Sequence, residues 1–472
     1  MCKTDDILYK TTMSSSERVF IVGAGPSGLT AGYRLGRAGV ATVTLESRDY
    51  VGGQVCTHRE QGYLMERGAT ILPSAYVPVT NLVEELGITE QLIPAGAIVG
   101  FARDGRIHDL RSNHLAGDAL RTDLIGLRSK LAMLRLGIDN VRARKGLGYD
   151  DLSLAAAWDT MTPKEYCDRH LGMSGEVYDY VIDSTVRGVL GTRGDRISLA
   201  EFFFMINKIL GSKLWAIKDG YSAYTEALAA GQDIRLGCRV TEVVETPDGV
   251  RVTWEDASGE HVEEGTAAIV TTRADHIGRI VPGLPEEDRR FLDSVRYTQV
   301  VQMNLGLAKA PPGIAAAVVQ VPEAVDAGLM AFTLEHNKAP GRAPDGKGLV
   351  CLMSMTEWAQ TLIHEDDDTV LREMTRAAEK LMPGFSDDID FVQINRWPEC
   401  IIYSRPGLYT ELGRFIARRA AGPVSRIKLG GTFYSSSNMC TATAGGERTA
   451  REVLALPGVR PGVPTPTSGA TA

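Results

Sequence analysis

A chain of 472 residues is longer than one domain usually is, so we expect two domains and a large buried core. Hydrophobic residues make up 44% and charged residues 23% of the chain, and the formal net charge of -8 argues against nucleic acid as the main partner. The seven cysteines are scattered and lack C-x-x-C spacing, the eight histidines show no metal-ligand spacing, and no apolar run approaches the roughly 20 residues that span a bilayer.

The first predicted unit is a strand, a turn, a helix and a second strand, which follow a polar tail at residues 1–16. Val19 to Val22 is an apolar, β-branched run, and the apolar residues from Ser27 to Ala38 recur at helical spacing. The second strand, Ala41 to Leu45, ends in Glu46. Between the first strand and the helix lies a G-x-G-x-x-G turn, which consists of Gly23, Ala24, Gly25, Pro26, Ser27 and Gly28.

This turn predicts a dinucleotide site. Gly23 allows the tight turn out of the strand, Gly25 lets the backbone approach a pyrophosphate, and Gly28 lets the helix pack closely on the sheet. The N-terminus of the helix presents free N–H groups to the phosphates. Glu46 is placed to accept hydrogen bonds from the hydroxyls of an unphosphorylated ribose.

The residues after Glu46 carry a family resemblance. The run Glu46-Ser47-Arg48, followed by Gly52 and Gly53, resembles the second glycine pair of the superfamily of flavin amine oxidases, protoporphyrinogen oxidases and phytoene desaturases. The resemblance implies that the cofactor is FAD and that this backbone runs beside its pyrophosphate. The superfamily usually has arginine after the pair, whereas this chain has Gln54.

Later segments extend the resemblance along the chain. Thr432 stands where the superfamily usually has an acid, and the closing helix is implied to point its N-terminal amides at flavin N1 and O2, where negative charge develops on reduction. The implied cofactor contacts are Gly68, Ala69 and Thr70 under the flavin ring, the backbone of Val240 over the adenine, Gly431 and Thr432 at the pyrophosphate, and Ala442 and Thr443 in the closing helix.

The resemblance implies an α/β, amine oxidase-like fold with a Rossmann-like FAD-binding domain and an α+β substrate-binding domain. The FAD-binding domain is expected to be discontinuous, at residues 17–80, 215–285 and 425–457. The substrate-binding domain is expected at 81–214 and 286–424, and the pattern between about 90 and 215 is mostly helical. Flexible tails are expected at 1–16 and 458–472.

Residues 120–145 alternate basic side chains with leucines. One interpretation is a helix that lies on a membrane surface. The other, which the pattern alone favours, is an ordinary helix with a solvated basic face.

Two residues are candidates for the catalytic pocket, both by resemblance. Many amine-oxidising members have a lysine that holds a water against flavin N5, and Gln302 is the closest match to that position. Tyr403 lies in a stretch that resembles protoporphyrinogen oxidases and is implied to face the flavin. Cys440 is close to the closing helix, but the usual pattern of a cysteine-linked flavin is missing, so the FAD is expected to be non-covalent.

The sequence therefore predicts a cytoplasmic FAD-dependent oxidoreductase. It would take a hydride from a C–N or C–C bond of a small organic substrate onto flavin N5 and pass the electrons to oxygen or another acceptor. A non-redox isomerase or mutase of the same architecture, and a scaffold that keeps FAD only for folding, are the alternatives. Peripheral membrane contact and a homodimer stay open, and nucleic acid, metal ions and a transmembrane segment are not expected.

Overall fold

A computed structural model describes residues 18–170 and 172–462, apart from the side chains of Leu115 and Ala116. The tail predicted at 1–16 and most of the one predicted at 458–472 therefore lie outside the described residues. Within the described part of the chain, none of the helices is long and apolar enough to cross a membrane.

The strands are short, from two to nine residues long. In chain order they are β1 (Val19–Val22), β2 (Thr42–Leu45), β3 (Thr57–Glu60), β4 (Tyr63–Glu66), β5 (Leu72–Pro73), β6 (Leu92–Pro94), β7 (Ile98–Arg103), β8 (Arg106–Arg111), β9 (Leu214–Ile217), β10 (Ile234–Arg235), β11 (Arg239–Glu245), β12 (Val250–Asp256), β13 (Gly259–Gly265), β14 (Ala267–Val270), β15 (Val300–Leu307), β16 (Val318–Gln320), β17 (Leu329–Leu334), β18 (Gly348–Ser354), β19 (Ile389–Trp397) and β20 (Ile427–Leu429).

The α-helices pack on these strands or connect them. They are α1 (Pro26–Arg37), α2 (Val77–Glu85), α3 (Leu115–Arg121), α4 (Leu127–Ala143), α5 (Pro163–Asp168), α6 (Ser184–Leu190), α7 (Leu199–Ile209), α8 (Ser222–Ala229), α9 (Ala274–Ile280), α10 (Glu286–Ser294), α11 (Glu335–Lys338), α12 (Thr356–Leu362), α13 (Asp367–Glu379), α14 (Leu408–Ala421) and α15 (Met439–Leu454). A π-helical segment, Val177–Asp183, leads into α6.

A five-stranded parallel sheet has the order β10-β2-β1-β14-β20. Strands β1 and β14 are buried along their whole length, which agrees with the apolar, β-branched composition of a strand covered on both faces. Helices α1 and α15 pack against each other beside this sheet. The sheet thus joins strands from the beginning, the middle and the end of the chain, and it places the turn after β1 next to the end of β14.

A seven-stranded mixed sheet has the order β19-β15-β18-β17-β16-β7-β8. All eight residues of β15 are buried, because it lies between β18 and β19. Strands β7 and β8 enter this sheet through a parallel pairing of β7 with β16. The region from 90 to 215 is therefore less purely helical than expected, since it supplies two strands of this sheet as well as helices.

The strands of the two large sheets come from the two sets of segments predicted to form the two domains. The parallel sheet uses strands from residues 19–45, 234–270 and 427–429, and the seven-stranded sheet uses strands from 98–111 and 300–397. The domain boundaries themselves stay a prediction. The carboxyl ends of β1 and β14 and one face of β15 border the site described next.

Candidate functional site

The turn between β1 and α1 has the geometry that a close backbone approach requires. Gly23 has φ of +102°, and its N–H donates to the carbonyl of Leu45 at 2.8 Å. A Cβ on Gly28 would lie 1.9 Å from the carbonyl oxygen of Gly23, so only glycine allows α1 to sit this close to the strand. A Cβ on Gly25 would meet no protein atom within 4 Å, because that side of the backbone faces an open cavity.

Glu46 ties this turn to the second glycine pair. One carboxylate oxygen of Glu46 accepts the N–H of Ala24 at 2.8 Å, and the other accepts the N–H of Arg48 at 2.9 Å. The N–H of Gly52 donates to the carbonyl of Ala24 at 2.8 Å. Both loops are therefore held by one buried carboxylate. Glu46 also lines the cavity, so the remaining lone pairs of its oxygens can accept hydrogen bonds from a ligand.

The cavity has a volume of about 760 Å³, within the range of ordinary ligand and cofactor sites. It brings together residues predicted from distant parts of the chain. Those that line it are Gly23, Gly25, Pro26, Ser27, Glu46, Ser47, Arg48, Gly53, Gln54, Gly68, Ala69, Thr70, Val240, Gln302, Gly431, Thr432 and Ala442.

Four of the predicted cofactor residues support the cavity without lining it. Ala24 and Gly52 hold the two loops together, and Gly28 sets the packing of α1. Thr443 is buried inside α15, where its hydroxyl meets that of Tyr224 at 2.9 Å. These residues support the site without lining the cavity themselves.

Two hydroxyls mark where a polar ligand is expected. Ser27 Oγ and Thr272 Oγ1 are buried, lack a hydrogen-bond partner in the described protein, and belong to residues that line the cavity. Buried hydroxyls are normally paired, so each of these has capacity for a ligand atom. Together with the free amides at the start of α1, they fit the phosphates and ribityl hydroxyls of FAD.

The N-terminus of α15 also borders the cavity. Asn438 Oδ1 accepts the N–H of Thr441 at 2.9 Å, which leaves the amides of Met439 and Cys440 without an intrahelical partner. A buried carboxyl, Glu201, holds the preceding loop by accepting the hydroxyl of Ser436 at 2.5 Å. Burial raises the pKa of Glu201, and the hydroxyls of Ser436, Tyr409 and Ser404 act against that rise.

Gln302 of β15 lines the end of the cavity away from the glycine turn, which we call the distal end. Its Nε2 donates to the carbonyl of Glu66 at 3.0 Å and to Cys351 Sγ at 3.3 Å, and its Oε1 accepts from Asn395 Nδ2 at 3.4 Å. The amide is thus buried and fixed by three neighbours, and it carries no titratable proton.

A buried ion pair supports Gln302 from behind. Arg342 Nη1 lies 2.7 Å from Glu66 Oε1, and their side chains are 0% and 1% exposed. The carboxylate of Glu66 also accepts the hydroxyl of Thr57 at 2.7 Å and the N–H of Tyr221. Glu66 is two residues before Gly68, so this pair fixes both the predicted flavin segment and the carbonyl that anchors Gln302.

The wall around the distal end is apolar. Val300, Met330 and Met353 belong to one buried hydrophobic cluster, against which Cys400 packs. Burial raises the pKa of the Cys400 thiol to about 12. This wall, which we call the distal wall, is lined by Gly188, Val189, Val300, Met330, Met353 and Cys400.

Tyr403 is not brought to the cavity. It is absent from the lining residues, and its phenol lies in the field of Arg196, Asp195 and Glu357. The chain turns after β19, and the N–H of Tyr403 donates to the carbonyl of Arg296 at 2.8 Å, while the side chain is half-buried. The expectation that Tyr403 faces the flavin is therefore not retained, whereas Trp397 of the same stretch does line the cavity.

Sequence reasoning missed a charged pair in the wall of the cavity. Arg273 Nη1, just after β14, lies 3.0 Å from Glu399 Oε2, just after β19, and both residues line the cavity. Gln54 Nε2 donates to the carbonyl of Glu399 at 3.2 Å. The position of Arg273 three residues after a buried parallel strand was the one signal that could have found it.

Comparisons with known proteins agree with this arrangement. Residues 26–454 match the family described as flavin containing amine oxidoreductase. Coproporphyrinogen III oxidase of Staphylococcus aureus is 21% identical over an alignment of 485 residues. The alignment covers 93% of this chain and 99% of that enzyme. Mitochondrial protoporphyrinogen oxidase of Nicotiana tabacum is 29% identical over 200 residues, 40% of this chain, and the match spans 36% of the length of that relative.

A solved structure shows the same fold. Cyclohexylamine oxidase from Brevibacterium oxydans superimposes with a TM-score of 0.73 at 15% identity, over 93% of this chain and 98% of that one. The fold predicted from the resemblance is confirmed by this likeness.

Proposed function

Because this chain belongs to the flavin-containing amine oxidoreductase family, whose usual cofactor is non-covalent FAD, we propose that it oxidises an apolar, uncharged part of a small organic molecule at a C–N or C–C bond. When bound, FAD supplies hydride acceptance at N5 and transfer of the electrons to oxygen or another acceptor. The observation that carries the substrate proposal is the distal wall, which is apolar and neutral.

The charges of the cavity support this choice of substrate. Among the described residues that line the cavity, the carboxylates are Glu46 and Glu399. Glu46 is bound by the amides of the two glycine loops, and Glu399 is paired with Arg273. Neither is free at the distal wall to receive the second ammonium group of a diamine, so a dicationic substrate would leave a charge desolvated there.

Gln302 and the distal wall have separate tasks in the proposed reaction. The fixed amide of Gln302 orients the substrate, and because it is neutral it neither gives nor takes a proton. The methionine and valine side chains of the wall exclude water from the reacting carbon. The chain thus contributes position and a dry surface rather than a general base at residue 302.

Anaerobic reduction of the flavin tests the proposal. The purified protein, with its bound flavin released by acid and identified as FAD, is mixed with a cyclic monoamine, an aliphatic diamine and a porphyrinogen. We expect the flavin band to bleach with the monoamine or the porphyrinogen and to persist with the diamine. Bleaching by the diamine alone would overturn the substrate proposal, and FAD that no candidate reduces would favour the scaffold alternative.

A pair of variants tests the role of Gln302. Gln302→Ala is expected to lower the limiting rate of flavin reduction about tenfold, because orientation is lost, while FAD affinity is unchanged. Tyr403→Phe, outside the cavity, is the matched control and should behave as the wild type. Equal rates for Gln302→Ala and wild type would contradict the orienting role.

A further inference from the structure

A second buried glutamine, Gln320 on β16, lies next to the distal wall. It is 5% exposed, and its Oε1 is buried without a hydrogen-bond partner among the residues that the structure describes. Buried side-chain amides are normally paired, because an unmade hydrogen bond leaves a desolvated polar atom. Gln302 shows the ordinary case, since its amide is fixed by three neighbours. The packing of the core alone therefore does not explain the amide of Gln320.

The register of the seven-stranded sheet puts Gln320 on the same face as Gln302. Gln302 is paired with Met353 on β18, and Met353 with Ala331 on β17. Ala331 is in turn paired with Gln320 on β16. Residues that are paired across neighbouring strands point to the same face of a sheet. Three strand spacings of about 4.8 Å separate the two glutamines, so they lie about 14 Å apart along the face that borders the cavity.

A glycine brings the cavity to this amide. Gly188 lies inside α6, which packs against β16 and β17, and it lines the cavity. A Cβ on Gly188 would lie 1.4 Å from Gln320 Oε1, so the amide occupies the place of the missing side chain. Glycine inside a helix is unfavourable. Here it lets an unpaired polar atom lie directly beside a residue of the distal wall.

The arginine that precedes this glycine holds the contact in place. Arg187 is 1% exposed, and its Nε donates to the carbonyl of Val321 at 3.1 Å. Its Nη2 donates to the carbonyl of Leu329 at 3.0 Å. Because Val321 directly follows Gln320, one buried side chain ties α6 to the strand that carries the amide. The backbone on both sides of the contact is therefore fixed without a ligand.

We propose that Gln320 determines substrate specificity by binding a neutral hydroxyl at the end of the substrate that is farthest from Gln302. This role rests on the proposed function, since it requires that the substrate lies along the distal wall. Half a turn of the amide exchanges its oxygen and nitrogen, so the bound group must be able both to donate and to accept, as a hydroxyl does. The register neighbours Phe101 and Ala331 are uncharged, so a charged group would be desolvated there without a partner.

Thermal unfolding of the FAD-loaded protein without substrate tests whether the amide is kept for a ligand. Gln320→Met replaces the amide with an apolar group of similar shape. It should raise the unfolding midpoint by about 1–2 °C, because a desolvated polar atom is removed. Asn304→Leu is the matched control: its amide is also buried but donates to Gln393 Oε1 at 2.8 Å, so its loss should lower the midpoint. A midpoint that falls in both variants would overturn the proposal, because a buried water would then satisfy Gln320.

Equilibrium dialysis tests the hydroxyl itself. The probes are 4-phenylcyclohexylamine and its para-hydroxyphenyl analogue, whose hydroxyl lies at the end opposite the amine. The FAD is first reduced with dithionite, so that binding is measured without turnover. We expect the wild type to bind the hydroxyl analogue about fivefold more tightly than the parent amine, and Gln320→Met to bind both equally. Gln360→Leu, exposed on α12, is the control and should keep the preference.

The two proposals fail in different ways. A preference for the hydroxyl that persists in Gln320→Met, or equal affinities of the wild type for the two probes, would overturn the role of Gln320. If neither probe binds, the amine part of the proposed function fails, and the unfolding midpoints then decide alone whether Gln320 is kept for a ligand.

Discussion

Replacing Arg342 with methionine should strongly destabilise the protein, because it leaves a carboxylate buried without its charge partner. Glu66 and Arg342 are 2.7 Å apart, and both side chains are almost completely buried. Methionine fills much of the space of arginine but offers no positive charge. Removing one member of such a pair costs about 3–5 kcal/mol, and we expect a loss of unfolding free energy in this range.

Urea unfolding followed by tryptophan fluorescence measures this loss. Lys347→Met is the control, because Lys347 and Asp390 are also 2.7 Å apart but are 41% and 40% exposed, and it should change stability little. Adding Glu66→Gln to Arg342→Met removes the stranded charge and should restore more than half of the loss. A double variant as unstable as Arg342→Met alone would refute the reasoning, since the cost would then come from packing rather than from the unpaired carboxylate.

Three further predictions follow from the site. Gly28→Ala should prevent folding or FAD binding because its Cβ meets a backbone carbonyl, whereas Gly25→Ala should fold normally and lower FAD affinity, as measured by fluorescence titration; equal effects would contradict this. Burial raises the pKa of Glu201, so the stability that this carboxyl contributes falls as the pH rises above 4.5, the usual pKa of glutamate. Glu201→Gln should therefore gain stability relative to wild type between pH 5 and pH 8. Parallel stability profiles of the two proteins would contradict this. Cys400, with a pKa of about 12, should resist iodoacetamide at pH 8 in the native protein, and mass spectrometry would reveal any rapid alkylation.

The parts of the site that the sequence predicted are those with local signals. A glycine with positive φ, a helix start and an acid at the end of a strand are all specified by neighbouring residues, so Gly23, Gly25 and Glu46 were found without tertiary information. The strand from Val19 to Val22 has the bounds that its apolar run predicts. Such segments depend on backbone geometry and burial, which short stretches of sequence encode.

The distal wall could not be predicted in this way. Met330, Met353 and Cys400 reach the cavity from three different parts of the chain, and nothing in their local sequence distinguishes them from core residues. Tyr403 shows the opposite failure, since a motif placed it near the flavin but could not show how the chain turns after β19. Periodicity found the amphipathic region at α4, but it could not tell which face packs inward.

The parallel sheet has a consequence for how the protein is made. Its order places β20, near the end of the chain, beside β14, and α15 then packs on α1 so closely that a Cβ on Gly446 would lie 2.3 Å from the carbonyl oxygen of Ser27. During synthesis, the glycine turn is made about 400 residues before β20 and α15, which complete its surroundings. Until β20 has been made, β14 has an unpaired edge and the cofactor cavity is incomplete, so we expect FAD to bind only after α15 has formed.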